Sequence, residues 1–156
     1  MTFTHSLLLS TLLSVAAAGA AYADMKPEDA IKTRQAGYHF MGWNMAKIKA
    51  MAVDNSEDFD AKKMQAAANA IAAIANSGMG ALYIPGTDHN IGDVKTRAKP
   101  EIFTDKEGVK KVAVKFIQAA NDMAKVAAGD DVFAIADQFK VLGASCKACH
   151  DHYRKD

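Results

Sequence analysis

The segment Cys146-Lys147-Ala148-Cys149-His150 constrains this chain more than any other, because it lies almost at the end, with only residues 151–156 after it. On a helix its three reactive side chains stand at i, i+3 and i+4, so all leave one face. Two thiols so placed can add to the two vinyl groups of a haem while the adjacent imidazole reaches the iron, and the segment reads as a c-type haem attachment site. Earlier elements must then return to this helix to enclose a flat, largely apolar group.

Three other chemistries share parts of the pattern. A thioredoxin-like pair also uses C-x-x-C, but it opens a helix after a strand in a βαβ setting, and no strand pattern precedes Cys146. A structural zinc site would need Cys146, Cys149, His150 and His152 together, and ligands so close in sequence do not readily surround one ion tetrahedrally. A disulfide between cysteines one helical turn apart closes a tiny loop and constrains little of the unfolded chain.

At the other end, a Leu- and Ala-rich run from Leu7 to Ala21 leads into Ala21-Tyr22-Ala23, the form of a secretory signal with an A-x-A cleavage site. Its first residues lack Lys and Arg. The run is shorter than the roughly 20 residues a spanning helix needs. Cleavage is therefore expected after Ala23, leaving residues 24–156 as one domain, with residues 1–23 as the signal and no membrane insertion. Export fits covalent haem, which accounts for both cysteines in an oxidising compartment without a free thiol. All 19 basic and 18 acidic residues fall outside the signal, and this near balance offers no basic excess for nucleic acid.

The remainder reads as all-α, four helices and one long loop, with no alternation of period two. Pro27 suits a first helical turn, with Glu28 and Asp29 favourable at its positive end. That helix is expected to reach about Ala52, turning inward Ile31, Arg34, Gln35, Tyr38, Met41, Gly42, Met45 and Ile48. An alanine-rich helix follows from Ala61 to Asn76, its small side chains serving helix packing or a dimer seam. From Gly78 to Phe103, four glycines and two prolines argue against a regular element, and a loop this long is usually functional or wrapped around something. Leu82, Tyr83, Ile84 and Ile91 give it apolar groups to lay on a haem, and Lys95, Thr96, Arg97 and Lys99 are candidates to face propionates or solvent. Thr104-Asp105-Lys106-Glu107 has the form of a capping box, predicting a third helix from Asp105. Asp130 is expected to cap a fourth, whose inward stripe runs from Val132 through Phe139, Leu142 and Gly143 into Cys146, Cys149, His150 and Tyr153.

Several segments together carry a family resemblance: Lys26-Pro27-Glu28-Asp29 leading to Arg34-Gln35, then Pro85-Gly86-Thr87, Lys99-Pro100-Glu101-Ile102-Phe103, and Gly143-Ala144-Ser145 before the haem motif, with Tyr153-Arg154 after it. Over essentially all of residues 24–156 the chain resembles cytochrome c′, the high-spin class II c-type cytochromes. Arg34-Gln35-Ala36-Gly37-Tyr38 followed by Met41-Gly42-Trp43-Asn44-Met45 is similar to members with a distal tyrosine. The resemblance implies an antiparallel four-helix bundle with covalent haem near its C-terminal helix. It implies one haem c per chain on Cys146 and Cys149, His150 as the sole protein ligand to iron, Arg34 and Gln35 at the haem edge, Tyr38 on the distal side and Arg154 near the proximal pocket. It further implies a periplasmic homodimer, no turnover enzyme, that binds nitric oxide and carbon monoxide and serves electron transfer with an unidentified redox partner or nitric oxide handling.

No Met follows His150, so any sixth iron ligand must come from upstream, and the first helix offers Tyr38, His39, Met41 and Met45. His39 points roughly 100° from Tyr38 and reads as a surface residue, as does His89. Met41 or Met45 as a ligand would make the protein a six-coordinate Met-His low-spin electron carrier, the alternative to a five-coordinate gas-binding haem.

Overall fold

The computed structural model describes residues 25–156, and the expected signal lies outside the described residues. Four long helices pack as a bundle: α1 Pro27–Ala52, α2 Ala61–Ala75, α4 Lys106–Val126 and α5 Val132–Tyr153, with a single turn α3 Glu101–Thr104 before α4. α1 packs on α2 and α5, and α4 packs on the same two, which sets the helices around a square. Gly37 in the first half of α1 faces Ile74 near the end of α2, and Gly108 at the start of α4 meets Tyr153 at the end of α5, so each sequential pair is antiparallel. Among the described residues no helix is long and apolar enough to cross a membrane.

Helix starts follow local chemistry. Pro27 opens α1, where its missing N–H is no loss, and Glu28 and Asp29 occupy the first turn. Asp60 caps α2 by accepting from the Lys63 N–H at 3.0 Å. Two expected caps fall one residue away from where they form. Asp131, not Asp130, starts α5, its carboxylate accepting from the N–H groups of Phe133 and Ala134 at 3.0 Å each. Asp105, not Thr104, caps α4 by accepting from the Gly108 N–H at 2.9 Å, while the Thr104 hydroxyl turns back to the Glu101 carbonyl within α3. The long loop also holds two short regular pieces that its composition argued against, α3 and a 3₁₀ turn at Met79–Leu82. Each is a single turn, the length at which glycine and proline in the flanks still permit helical backbone.

The dry core fills one end of the bundle. Ile48, Met64, Ile71, Met123, Ile135 and Leu142 are fully buried, from the second half of α1, α2, the second half of α4 and the first half of α5. Burying each such side chain contributes about 1.5–3 kcal/mol. Toward the other end the expected inward stripes become half-buried, as at Val109 and Val112 of α4 and Cys146 and Cys149 of α5, and Gln35, Tyr38 and Gly42 of α1 are exposed. With 15 residues against 22 in α5, α2 is about 10 Å shorter at 1.5 Å per residue, and the 76–103 loop covers the end it does not reach.

That end is closed by a tie between α4 and α5. The Tyr153 hydroxyl donates to the Asp105 carboxylate at 2.6 Å, while the same carboxylate caps α4. Both bonds lower the pKa of Asp105, Tyr153 first, and the partnership pushes the Tyr153 phenol up to about 12. Because the Asp105 value is depressed on folding, its contribution is complete above the ordinary carboxylate range and is lost as pH falls through the folded value. Gly108 sits against both partners so closely that a Cβ would overlap the Asp105 carboxylate and the Tyr153 hydroxyl. Gly108→Ala gains helix propensity of about 1 kcal/mol but forces the tie apart. Overpacking of this kind costs roughly 1–3 kcal/mol, so thermal melting is expected to show a lowered Tm, and an unchanged or raised Tm would show that the tie yields freely.

Candidate functional site

The last turns of α5 place Cys146, Cys149 and His150 along one side, as the 3–4 spacing predicts. Both cysteines are half-buried, and no disulfide joins them. Burial raises both thiols, Cys149 also through the charge of Cys146. A reactive redox pair needs the opposite, a thiol lowered at a helix N-terminus or beside a cation, and these lie at a helix C-terminus. Among the described residues no group of three or more His, Cys, Asp or Glu side chains is arranged to hold a metal ion. His150 is exposed at the helix surface, and its pKa is lowered, first by partial desolvation and then by the charge of Arg97, which favours the neutral imidazole that can ligate iron.

Arg154 follows one turn later, its Nη1 lying 3.2 Å from Nδ1 and 3.4 Å from Nε2 of His150. Arg154 is therefore a direct neighbour of the imidazole. Its backbone continues the attachment of the loop: Ala98 and Arg154 form an antiparallel bridge, the Lys99 N–H donates to the Tyr153 carbonyl at 2.9 Å, and the Lys155 N–H donates to the Arg97 carbonyl at 2.7 Å. Arg97 itself is exposed.

On α1, Arg34 is buried, only 3 % exposed, and its guanidinium is directed into the loop. Nη1 donates to the Leu82 carbonyl at 3.1 Å and the Thr87 hydroxyl at 2.7 Å. Nη2 donates to the Thr87 carbonyl at 2.6 Å and the Thr96 hydroxyl at 2.8 Å. All four terminal N–H groups are thus engaged with loop oxygens. Burial lowers its pKa, an effect the neighbouring tyrosines Tyr83 and Tyr38 oppose. Thr96 is buried as the acceptor of Arg34 and donates its own N–H to the Asn90 side chain at 2.9 Å. Gln35, exposed, donates to the Lys95 carbonyl at 2.7 Å. Arg34, Gln35, Thr96 and the 82–96 loop therefore form one assembly.

Tyr38 comes next along that stripe. The Tyr83 hydroxyl donates to the Tyr38 hydroxyl at 3.1 Å. Tyr38 is 41 % exposed; desolvation, then Tyr83, raises its pKa well above the usual phenol value. Tyr83 is raised too, chiefly by burial. A negative charge at Cys149 would raise both phenols further, so the pair lies near that end of α5. Met41 lies in the dry core and Met45 packs against it. His39 is exposed, as is His89, which pairs with Asp88 at 3.1 Å.

Thr87 and the depth of Arg34 are what sequence reasoning missed. The only local signal for Thr87 is its place after Pro85-Gly86, where Gly86 adopts φ 83° and turns the chain back toward α1.

These residues fit a covalent haem. The two thiols and the imidazole share one side of a helix, and the imidazole is held neutral. A Cβ added at Gly143, one turn before Cys146, would meet nothing within 4 Å, so the backbone beside the thiols is approachable by a flat group. Toward the same end of the bundle the loop and α4 contribute the half-buried aromatic and aliphatic groups Tyr83, Phe103, Val109 and Val112, and α1 contributes the more exposed Tyr38.

Comparison with known proteins agrees with this arrangement. A family model described as Cytochrome C′ matches residues 29–154. The cytochrome c′ of Allochromatium vinosum is 57% identical over 139 residues, covering 88% of each chain. A solved cytochrome c′ with ligand-controlled dimer dissociation is 56% identical with a TM-score of 0.82, covering 86% of this chain and 100% of that one. A nitric oxide complex of a mutant cytochrome c′ from Alcaligenes xylosoxidans is 30% identical with a TM-score of 0.74, covering 84% of this chain and 97% of that one.

Proposed function

We propose, for a chain that belongs to the cytochrome c′ family, that Cys146 and Cys149 hold one haem c by thioether bonds and that His150 is its only axial protein ligand. The family is one of haem proteins rather than enzymes. The bound haem supplies a redox-active iron with a position for a small diatomic ligand. The protein's part is to hold it, to keep the His150 imidazole neutral with Arg154 beside it, and to cover the opposite face with Tyr38. The function is binding of nitric oxide and carbon monoxide by a five-coordinate, high-spin iron, in nitric oxide handling or electron transfer. The nitric oxide complex of the Alcaligenes relative supports this reading.

The observation that carries it is where the first-helix side chains go: Met41 and Met51 lie in the dry core and Met45 packs against it, while the Tyr38 hydroxyl pairs with that of Tyr83. A neutral phenol, with an ordinary pKa of about 10 raised further here, is a weak ligand for ferrous iron. A homodimer is proposed on the same family grounds, supported by the relative whose dimer dissociates under ligand control. Periplasmic location is proposed from the apolar segment and A-x-A site upstream of the family match, which starts at residue 29.

The ferrous optical spectrum tests the coordination. It is expected to be high-spin, and Tyr38→Ala is expected to bind carbon monoxide faster than wild type in stopped-flow mixing. A low-spin ferrous spectrum in the wild type would instead establish the six-coordinate reading and make Met41 and Met45 the ligands to replace.

A further inference from the structure

Tyr83 lies at the junction of three contacts that the ligand-binding reading does not use. Its hydroxyl donates to Tyr38 at 3.1 Å, the Arg34 guanidinium carbon lies 4.6 Å from the centre of its ring, and its ring meets Phe103 edge-on at 6.4 Å. Backbone on either side is equally fixed. The Leu82 carbonyl, one residue before, accepts from Arg34, and the Tyr83 N–H donates to the Gly80 carbonyl at 3.2 Å. A ring clamped on its face by a buried cation and on its edge by an aromatic has little freedom to follow Tyr38 if Tyr38 moves. Tyr38 has no such clamp: among the described residues, Tyr83 is its one side-chain hydrogen-bond partner.

We infer that Tyr83 is the positioning residue for Tyr38, a fixed hydroxyl that holds the Tyr38 phenol over the ligand-binding face and must be released before a diatomic ligand can settle there. The inference rests on the reading of Tyr38 as the distal cover. It extends control of ligand entry to the loop, because Arg34 fastens that loop at Leu82, Thr87 and Thr96 and stacks on Tyr83 with the same side chain. The chain Arg34, Tyr83, Tyr38 makes the loop a determinant of how fast a ligand binds, although none of its residues need touch the ligand. Discrimination among ligands then falls on size: a diatomic requires the smallest displacement of Tyr38, and each larger ligand stretches or breaks the Tyr83 bond.

Tyr83→Phe is the direct test, because it keeps the ring between Arg34 and Phe103 and removes only the hydroxyl. A neutral hydrogen bond has a net worth corresponding to roughly two- to tenfold in an equilibrium or rate. Carbon monoxide association to the ferrous holoprotein is expected to rise by that factor in Tyr83→Phe. In a Tyr38→Ala background the same change is expected to add nothing, since Tyr83 acts through Tyr38. Ultraviolet resonance Raman spectra of the tyrosines in the unliganded holoprotein supply a readout independent of ligand binding: Tyr83→Phe should alter the Tyr38 signal, which reports the loss of its hydroxyl partner. Acceleration by Tyr38→Ala with no effect of Tyr83→Phe overturns the inference and leaves the distal cover standing. Equal, additive acceleration in both backgrounds overturns it too, because Tyr83 would then act on the ligand by itself. If neither variant changes the kinetics, the distal reading of Tyr38 fails and the inference fails with it.

Discussion

Protein matured in a host that assembles c-type cytochromes is expected to keep its haem with the polypeptide through acid-acetone extraction, and the Cys146→Ala/Cys149→Ala double variant is expected to release all of it. The change is all-or-none because a thioether is covalent, whereas haem retained only by an axial histidine and apolar contacts is lost once acid protonates the imidazole and unfolds the chain. Either single variant keeps one thioether, so its haem should stay in the aqueous phase with a shifted absorption spectrum from the remaining vinyl group. His150→Ala separates attachment from ligation. Its haem should remain covalently bound while the axial-ligand bands change. Free haem in the organic phase from the wild type would refute attachment, and an axial-ligand spectrum unaltered by His150→Ala would assign the proximal role to another residue.

The attachment motif was legible because its whole chemistry is local. Three residues within one and a half turns define a face, and no distant contact is needed to see it. The start of α1 was legible for the same reason, since Pro27, Glu28 and Asp29 act on the first turn alone. Choices between neighbouring residues were less so. Asp130 and Asp131 have the same capping chemistry, and only the backbone decides that the second carboxylate meets the N–H groups of Phe133 and Ala134. Thr104 has the right spacing to Glu107, yet the turn at 101–104 occupies its hydroxyl, leaving Asp105 to cap. Gly108 gave no signal at all. Its necessity comes from Tyr153, 45 residues later, brought against it by the antiparallel packing of α4 and α5.

Arg34 shows how little local pattern says about partners. The inward stripe of α1 gives its direction, but the oxygens that surround it come from residues 48 to 62 positions away. Its role as a fastener for the loop follows from tertiary contact only. The consequence for the site is that the loop is rigidly referenced to α1 on one side and to the end of α5 on the other, through the Lys99 and Lys155 backbone bonds. Tyr38, Tyr83 and the α5 thiols therefore keep their spacing, although the half of the bundle they occupy lacks the dry core of the other half.

Arg34→Met is expected to be the most destabilising single substitution at this end of the molecule. It preserves much of the stem's packing but leaves the Leu82 and Thr87 carbonyls and two threonine hydroxyls without their donor. The Thr87 hydroxyl retains its bond to the Ile84 carbonyl at 2.8 Å and the Thr96 hydroxyl still accepts from the Ala98 N–H at 3.3 Å, but the Leu82 and Thr87 carbonyls lose their donors, and water can reach them only by opening the loop. Bonds from a charged donor contribute about 1.5–3 kcal/mol each and are not additive, so a total loss of roughly 3–5 kcal/mol is expected. For a chain of this size that lowers Tm by on the order of 10 °C. Arg34→Lys should fall in between, because one ammonium cannot reproduce the planar fork that reaches Thr87 twice and Leu82 and Thr96 once each. Hydrogen exchange distinguishes a local fastener from a general loss of packing: amides at 82–96 should lose protection in Arg34→Met well before those of Ile48, Ile71 and Met123 in the dry core. Uniform loss of protection across both ends would mean that the guanidinium stabilises the bundle as a whole, and a wild-type Tm would mean that water replaces it without penalty. The midpoint potential provides a second test, since an open loop admits solvent to the haem edge and removal of a buried positive charge favours the oxidised form. Both variants should therefore be compared with a surface Lys62→Met control, in which neither the loop nor the potential is expected to change.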